Sequence, residues 1–273
     1  MQVFIDGVRV DPAEATISVF DLGLVRGLGV FEATKAYRGV PFALEAHLDR
    51  LARSAAANAT PLADRADLER WSRDAAAASG DCILRLIATP GGTDSTLAPP
   101  RTIILAEPVP DLPDHFRLAT VSAPWHPAGA DWGLAGAKTL SYGPNMHATA
   151  TARAAGFDDA LLVDRAGVVL EGPTASVGWV RDGVVHFPSF DLGVLASITR
   201  LVAEELLAGA GIEVVTGRFD LGELLAADEV VVLSTVKEVA PVVAVDAQDF
   251  AVGPLSAELA DLFARRVVAE TGA

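Results

Sequence analysis

Primary amines are scarce in this chain. Its 21 basic residues include only three lysines, Lys35, Lys138 and Lys237, so any chemistry that needs an amine has three candidates. Lys138 follows a small-residue stretch, Leu134 to Ala137, where backbone can come close to a ligand. It opens the run Lys138-Thr139-Leu140-Ser141-Tyr142-Gly143-Pro144-Asn145, which contains one of only two tyrosines. Glu171-Gly172-Pro173-Thr174, Leu195-Ala196-Ser197-Ile198-Thr199-Arg200 and Leu233-Ser234-Thr235 follow downstream. A lysine amine holds an aldehyde cofactor as a Schiff base. Pyridoxal phosphate also needs a carboxylate on its pyridine nitrogen, a hydrogen bond to its phenolic oxygen and a cradle for its phosphate. Glu171, Tyr142 and the helix start at Ser197–Thr199 are of the right types for these tasks. On residue type alone each also has a plainer reading: a solvated lysine, a glutamate ending a strand, a serine that only caps a helix.

Other chemistries are poorly served. Gly27-Leu28-Gly29 begins like a dinucleotide fingerprint, but Glu32 stands where the third glycine belongs. Ala137-Lys138-Thr139 lacks the glycine that precedes the lysine of a phosphate loop. No serine sits in a nucleophile elbow, and the five histidines, His47, His115, His126, His147 and His186, never fall at zinc-ligand spacing. Cys82, the single cysteine, excludes an internal disulfide. A formal charge of −15 repels phosphate backbones and anionic lipid, so neither nucleic acid nor membrane is an expected partner. The start of the chain has no basic, apolar leader, and no apolar run approaches a membrane span; a cytoplasmic location is expected.

The elements that must position these residues follow from apolar spacing. Val3–Ile5 and Val8–Val10 flank the turn signal Asp6-Gly7, and Val30–Tyr37 reaches a second hairpin at Arg38-Gly39. Leu44, Leu48, Leu51 and Ala55 predict a helix over 45–58, with another over 64–78. Strands are expected at 82–88 and 101–107, separated by a Gly/Pro-rich loop. Pro108 to Pro113 admits neither a helix nor a central strand, which places a boundary there. Beyond it, strands are expected at 116–122, 160–163, 168–170, 177–180, 184–187, 212–216, 229–233 and 242–245. Helices are expected at 145–155, 197–208 and 256–269. With 273 residues, this predicts two α/β domains: a small one over 1–109, a linker over 110–115 and a larger one over 116–273.

Taken together, these residues resemble the class IV aminotransferases, the fold-type IV group of pyridoxal-phosphate enzymes, from about Phe4 to Val242. Phe20-Asp21 and Arg26-Gly27-Leu28-Gly29-Val30-Phe31-Glu32 are similar to the family's N-terminal signature. Glu45-Ala46-His47-Leu48-Asp49-Arg50-Leu51 is similar to the helix carrying its phosphate-binding arginine. Lys138 to Tyr142 with Asn145, then 160–164, Gly167, Glu171 and Gly172, then Ile198-Thr199-Arg200, follow in the family's order. The resemblance implies an α/β, α+β-type fold with a larger C-terminal pseudo-barrel domain. It implies pyridoxal 5′-phosphate bound as an aldimine by Lys138, which would also carry the proton between Cα and C4′. Glu171 would face the pyridine nitrogen and Tyr142 the phenolic oxygen. Arg50, the N–H groups of Ile198 and Thr199, and the Thr235 hydroxyl would hold the phosphate. Ser176 stands where the family often has asparagine, Ser197 where it has glycine, and Leu233-Ser234-Thr235 replaces a commoner Ser-Gly-Thr.

The same resemblance implies a homodimer with shared active sites, acting on amino acids and 2-oxo acids as small-molecule substrates. Arg26 replaces the tyrosine usual in branched-chain enzymes, and the arginine–histidine pair of studied D-amino acid enzymes is missing from Gly91 to Ser95. Arg26 is expected to trap a substrate carboxylate and Phe31 to wall the pocket. The favoured subtype is a transaminase for D-amino acids, with (R)-amines as further candidates. Aminodeoxychorismate lyase is the alternative, followed by a branched-chain L-amino acid enzyme.

Overall fold

Three hairpins turn at dipeptides whose residues both have positive φ, Asp6-Gly7, Arg38-Gly39 and Asp182-Gly183, and so give the twist that joins adjacent strands tightly. A computed structural model describes residues 1–273. In its first unit, β1 (Gln2–Ile5), β2 (Val8–Val10), β3 (Val30–Tyr37), β4 (Val40–Pro41), β5 (Cys82–Thr89) and β6 (Arg101–Glu107) form an antiparallel sheet ordered β2-β1-β6-β5-β3-β4. Helices α1 (Leu22–Arg26), α2 (Leu44–Ala57) and α3 (Arg65–Ser79) accompany it. α2 and α3 bury Leu44, Leu48, Leu51, Ala55, Leu68, Ala75 and Ala76 with Leu84, Leu86 and Ile104 of the sheet. Leu48 and Leu51 are almost fully buried, each contributing roughly 1.5–3 kcal/mol by transfer from water.

The second unit holds β7 (Phe116–Ser122), α4 (Gly143–Ala154), β8 (Asp159–Val163), β9 (Ser176–Arg181), β10 (Val184–Pro188), α5 (Ile198–Gly209), β11 (Val214–Gly217), α6 (Leu221–Leu225), β12 (Glu229–Ser234), β13 (Glu238–Val245), β14 (Gln248–Asp249) and most of α7 (Pro254–Thr271). Its mixed sheet runs β11-β10-β9-β12-β13-β7-β8, with β14 on β13; the β10–β11, β13–β7 and β7–β8 pairs are parallel. Trp179, Val230, Val232, Leu161 and Val242 lie in one buried cluster, and Leu162, Leu170, Ala148 and Ala152 in another.

The division into units differs from two consecutive stretches. The first unit is 1–110 joined by 137–141, the lysine segment, and by 267–273. These returns depend on long-range pairing. Val30 bridges Thr139, and Glu270 accepts the Ala43 N–H. Residues 168–170 form no continuous strand: they bond the end of β8, Leu170 N–H to the Leu162 carbonyl and Leu162 N–H to the Glu171 carbonyl, while Val168 bridges Asp220 and the Val169 N–H donates to the Phe219 carbonyl, so their partners are split and only the isolated bridges Val163–Val169 and Val168–Asp220 remain. The strand expected from Ile212 starts two residues later, and α1, α6 and β14 are additions.

Candidate active site

In the first unit, the lysine segment is held by its backbone. The Phe31 N–H donates to the Lys138 carbonyl at 3.1 Å, and the Leu140 N–H to the Gly29 carbonyl at 3.0 Å. Gly29 permits this approach. Its φ is +127°, and a Cβ there would stand 2.5 Å from the Ala88 carbonyl oxygen and 2.7 Å from Leu140 Cδ1. The Lys138 N–H donates to Ser54 Oγ at 3.0 Å, and its Nζ lies 4.2 Å from the centre of the Phe31 ring. Lys138 is half-buried, so it departs from the solvated-lysine reading. Phe31, expected as a pocket wall, lies against the amine itself as a cation–π partner.

Arg50 lies on α2 with His47 and Ser54, at spacings of three and four that share one helix face. Its Nε and Nη2 donate to the two oxygens of Glu32, each at 2.7 Å, and His47 Nδ1–H donates to Glu32 Oε2 at 2.8 Å. Glu32 is fully buried. Burial alone would raise its carboxyl, but the charge and hydrogen bonds of Arg50, helped by His47, outweigh that and lower it to about 2. Burial drives His47 below its ordinary 6.5, against the pull of Glu32, and Arg50 and Lys138 push it the same way as burial does. In the sequence Glu32 stands in the N-terminal signature and breaks a glycine motif, but nothing there assigns it a partner. A carboxylate inside an alternating apolar strand was the available signal. Arg26 ends α1 and is exposed; Asp21 caps the start of that helix and also accepts the Thr89 hydroxyl at 2.7 Å. Arg85 and Arg101 pair with Glu107 and Asp6 of their own sheet.

In the second unit, Glu171 Oε2 accepts the Leu195 N–H at 3.1 Å, which ties it to the loop entering α5. His126 Nε2 stands 3.5 Å from Glu171 Oε1. Sequence reasoning dismissed His126 with the other histidines because it sought metal spacing only. Tyr142 precedes α4 at its cap position. Asn145 bridges Trp125 Nε1–H, at 3.2 Å, to the Pro173 carbonyl, at 3.0 Å. Ser197 caps α5 by accepting the Arg200 N–H. The first N–H groups of α5, on the buried residues Ile198 and Thr199, have no acceptor within the helix. β9 begins at Ser176, paired with Leu233 of β12, on which α5 packs and after which Ser234-Thr235 follows. Ser176 Oγ is buried without a hydrogen-bond partner. Arg200 is a fully buried cation between the Phe187 and Phe190 rings, donating to Glu204 and to the Pro188 carbonyl. Lys237 is engaged by Asp159 at 3.0 Å.

In the second unit, a carboxylate fixed by a backbone N–H, the N–H groups that open α5 and an unpartnered buried hydroxyl are of the types that pyridoxal phosphate needs, and in the first unit the half-buried amine is of the type that bonds its aldehyde. No cluster of side chains could hold a metal ion, and no helix is long and apolar enough to cross a membrane.

The amino-transferase class IV family matches residues 29–245, and the chain belongs to it. It is a pyridoxal-phosphate-dependent aminotransferase, acting on amino acids and 2-oxo acids. A putative branched-chain-amino-acid aminotransferase of Methanocaldococcus jannaschii is 34% identical, over 90% of this chain and 88% of that one. A bifunctional aminodeoxychorismate lyase / D-amino acid transaminase of Mycobacterium tuberculosis is 32% identical, over 67% of each. Among solved structures, a hypothetical aminotransferase from Mycobacterium tuberculosis in its PLP-bound form is similar with a TM-score of 0.91 and 26% identity, covering 99% of this chain and all of that one.

Proposed function

We propose that this enzyme moves an amino group from a D-amino acid to a 2-oxo acid, with (R)-amines as further donors. The observation that carries the aminotransferase reading, common to every donor class, is the half-buried Lys138 amine, held over Phe31 by a backbone-paired segment; the preference for D-donors rests on Arg26, exposed on α1. Bound pyridoxal phosphate supplies an aldehyde for amines and an electron sink for the Cα–H bond pair. Lys138 would hold the aldehyde carbon and would move the proton between the substrate's Cα and C4′. Glu171 would supply the negative charge that keeps the pyridine nitrogen protonated. Tyr142 would donate to the phenolic oxygen. Arg50, held by Glu32, would bind the phosphate, as would the α5 N–H groups of Ile198 and Thr199 and the hydroxyls of Ser176 and Thr235. Arg26, exposed on α1, takes the substrate carboxylate of the neighbouring subunit in a homodimer, while Phe31, against Lys138, lines the pocket of its own chain.

The 34% identity to a putative branched-chain enzyme favours a second reading, L-branched-chain donors. The bifunctional relative keeps the lyase in view. Half-reactions followed by cofactor absorbance separate the three. D-alanine or D-glutamate is expected to convert the bound cofactor to its amine form. Conversion by L-leucine alone would establish the branched-chain reading, and pyruvate from aminodeoxychorismate without D-donor conversion would establish the lyase.

A further inference from the structure

His126 belongs to no motif used so far, yet it is the side chain that meets the Glu171 carboxylate. Its ring is nearly buried, with Nε2 3.5 Å from Glu171 Oε1. The other ring nitrogen settles which proton the imidazole carries. The Ala128 N–H donates to Nδ1 at 3.2 Å, so Nδ1 bears the lone pair and Nε2 bears the hydrogen. The turn is built to hold that arrangement. Ala128 has φ +48°, a left-handed conformation costly for alanine, and its carbonyl accepts from Arg218, which also pairs with Asp164. The preceding residue, Trp125, is joined through Asn145 to Pro173, two positions beyond Glu171. The histidine loop and the glutamate turn are therefore fixed to each other by a second, independent connection.

We propose that His126 is a positioning residue for the Glu171 carboxylate: Nε2–H holds Oε1 while the Leu195 N–H holds Oε2, fixing the carboxylate's rotation and charge for the pyridine nitrogen. The separation is long for a hydrogen bond, as such contacts often are before ligand binds, and closes by a few tenths of an ångström. The inference rests on the reading above, in which Glu171 is the pyridine partner. Two donors on one carboxylate leave it a single orientation. With His126 lost, the carboxylate turns about its bond to Leu195, and the ion pair with the cofactor weakens.

The test uses the full-length enzyme with His126→Phe, His126→Gln and Glu171→Gln. Readouts are the pyridoxal-phosphate Kd of the apoenzyme, the visible band of the holoenzyme, and the 15N-detected tautomer of His126 in the apoenzyme. His126→Phe is expected to weaken cofactor binding by about tenfold, the size of one charge-assisted hydrogen bond. It should also shift the band in the direction that Glu171→Gln does. A glutamine side chain can place an amide N–H near the lost Nε2–H, so His126→Gln is expected to recover most of the affinity. A merely structural role would lower the melting temperature of the apoenzyme without moving the band. If Glu171→Gln changes both readouts and His126→Phe neither, the His126 role is overturned and the Glu171 assignment stands. If Glu171→Gln changes neither, the Glu171 assignment falls and the His126 role with it. Should His126→Phe fail to fold, the tautomer decides: a proton on Nδ1 in the wild-type apoenzyme overturns the proposal.

Discussion

Glu32 enters the core as a carboxylate and remains one, because Arg50 grips both its oxygens and His47 adds a third hydrogen bond. Its value falls from 4.5 to about 2, so its contribution is fully present above pH 4.5 and is lost as the pH drops toward 2. That shift corresponds to stability on the order of 3 kcal/mol. His47, depressed by burial, works in the same direction: the unfolded chain takes up that proton first, below about 6.5. Urea unfolding of Glu32→Gln should show lower stability at pH 7 and a flatter dependence between pH 4.5 and 2 than the parent. A second prediction concerns Arg26. Arg26→Ala should raise KM for carboxylate donors far more than for a simple amine, and equal effects on both would defeat its role as a carboxylate trap. Lys138, Tyr142, Glu171 and Arg50 could be picked out from residue type and order. The Glu32 pairing could not, because its partners lie 15 and 18 positions away and only the packing of α2 on β3 brings them together.

At the scale of elements, the long helices were legible because each carries an apolar stripe: Leu44, Leu48, Leu51 and Ala55 mark α2 from the sequence and are the residues it buries. The hairpins were legible from their turn dipeptides. α1 was not, since five residues are too few for a stripe and its stability comes from Asp21, whose second oxygen is committed to Thr89. The bridge between β3 and 137–141 was not either, because nothing local signals a pairing of Val30 with Thr139. Gly29 is where that pairing is most exposed to substitution. Gly29→Ala puts a methyl against the Ala88 carbonyl and a side chain at positive φ, which costs roughly 1–3 kcal/mol from the backbone conformation alone. It should lower the melting temperature and weaken cofactor binding together, since the displaced segment is the one carrying Lys138.

For the whole molecule, the charge of −15 contrasts with what the site asks for, so an anionic cofactor and substrate must be met by local cations and helix N–H groups. The first unit also leaves apolar side chains in solvent around α1: Val19 is 69% exposed, Phe20 60%, Leu24 61% and Val25 54%. The shared active site proposed above would seat a second copy of the chain on this patch. Sedimentation should give twice the 28.3 kDa of one chain. Val25→Asp should shift it toward the single-chain mass and reduce activity with it, since Arg26 is the next residue. A monomeric parent with full activity would dismiss the shared site.

The late arrival of the Lys138 segment also bears on synthesis. On the ribosome, β3 emerges about a hundred residues before 137–141, an interval of roughly 5–20 seconds at ordinary elongation rates. Until then the backbone groups of Gly29 and Phe31 that later bond Leu140 and Lys138 form an unclosed edge, open to strand exchange with a neighbouring nascent chain. Ribosome-bound chains stalled before residue 137 emerges should therefore exchange the Phe31 amide proton quickly, and chains released beyond residue 141 should protect it.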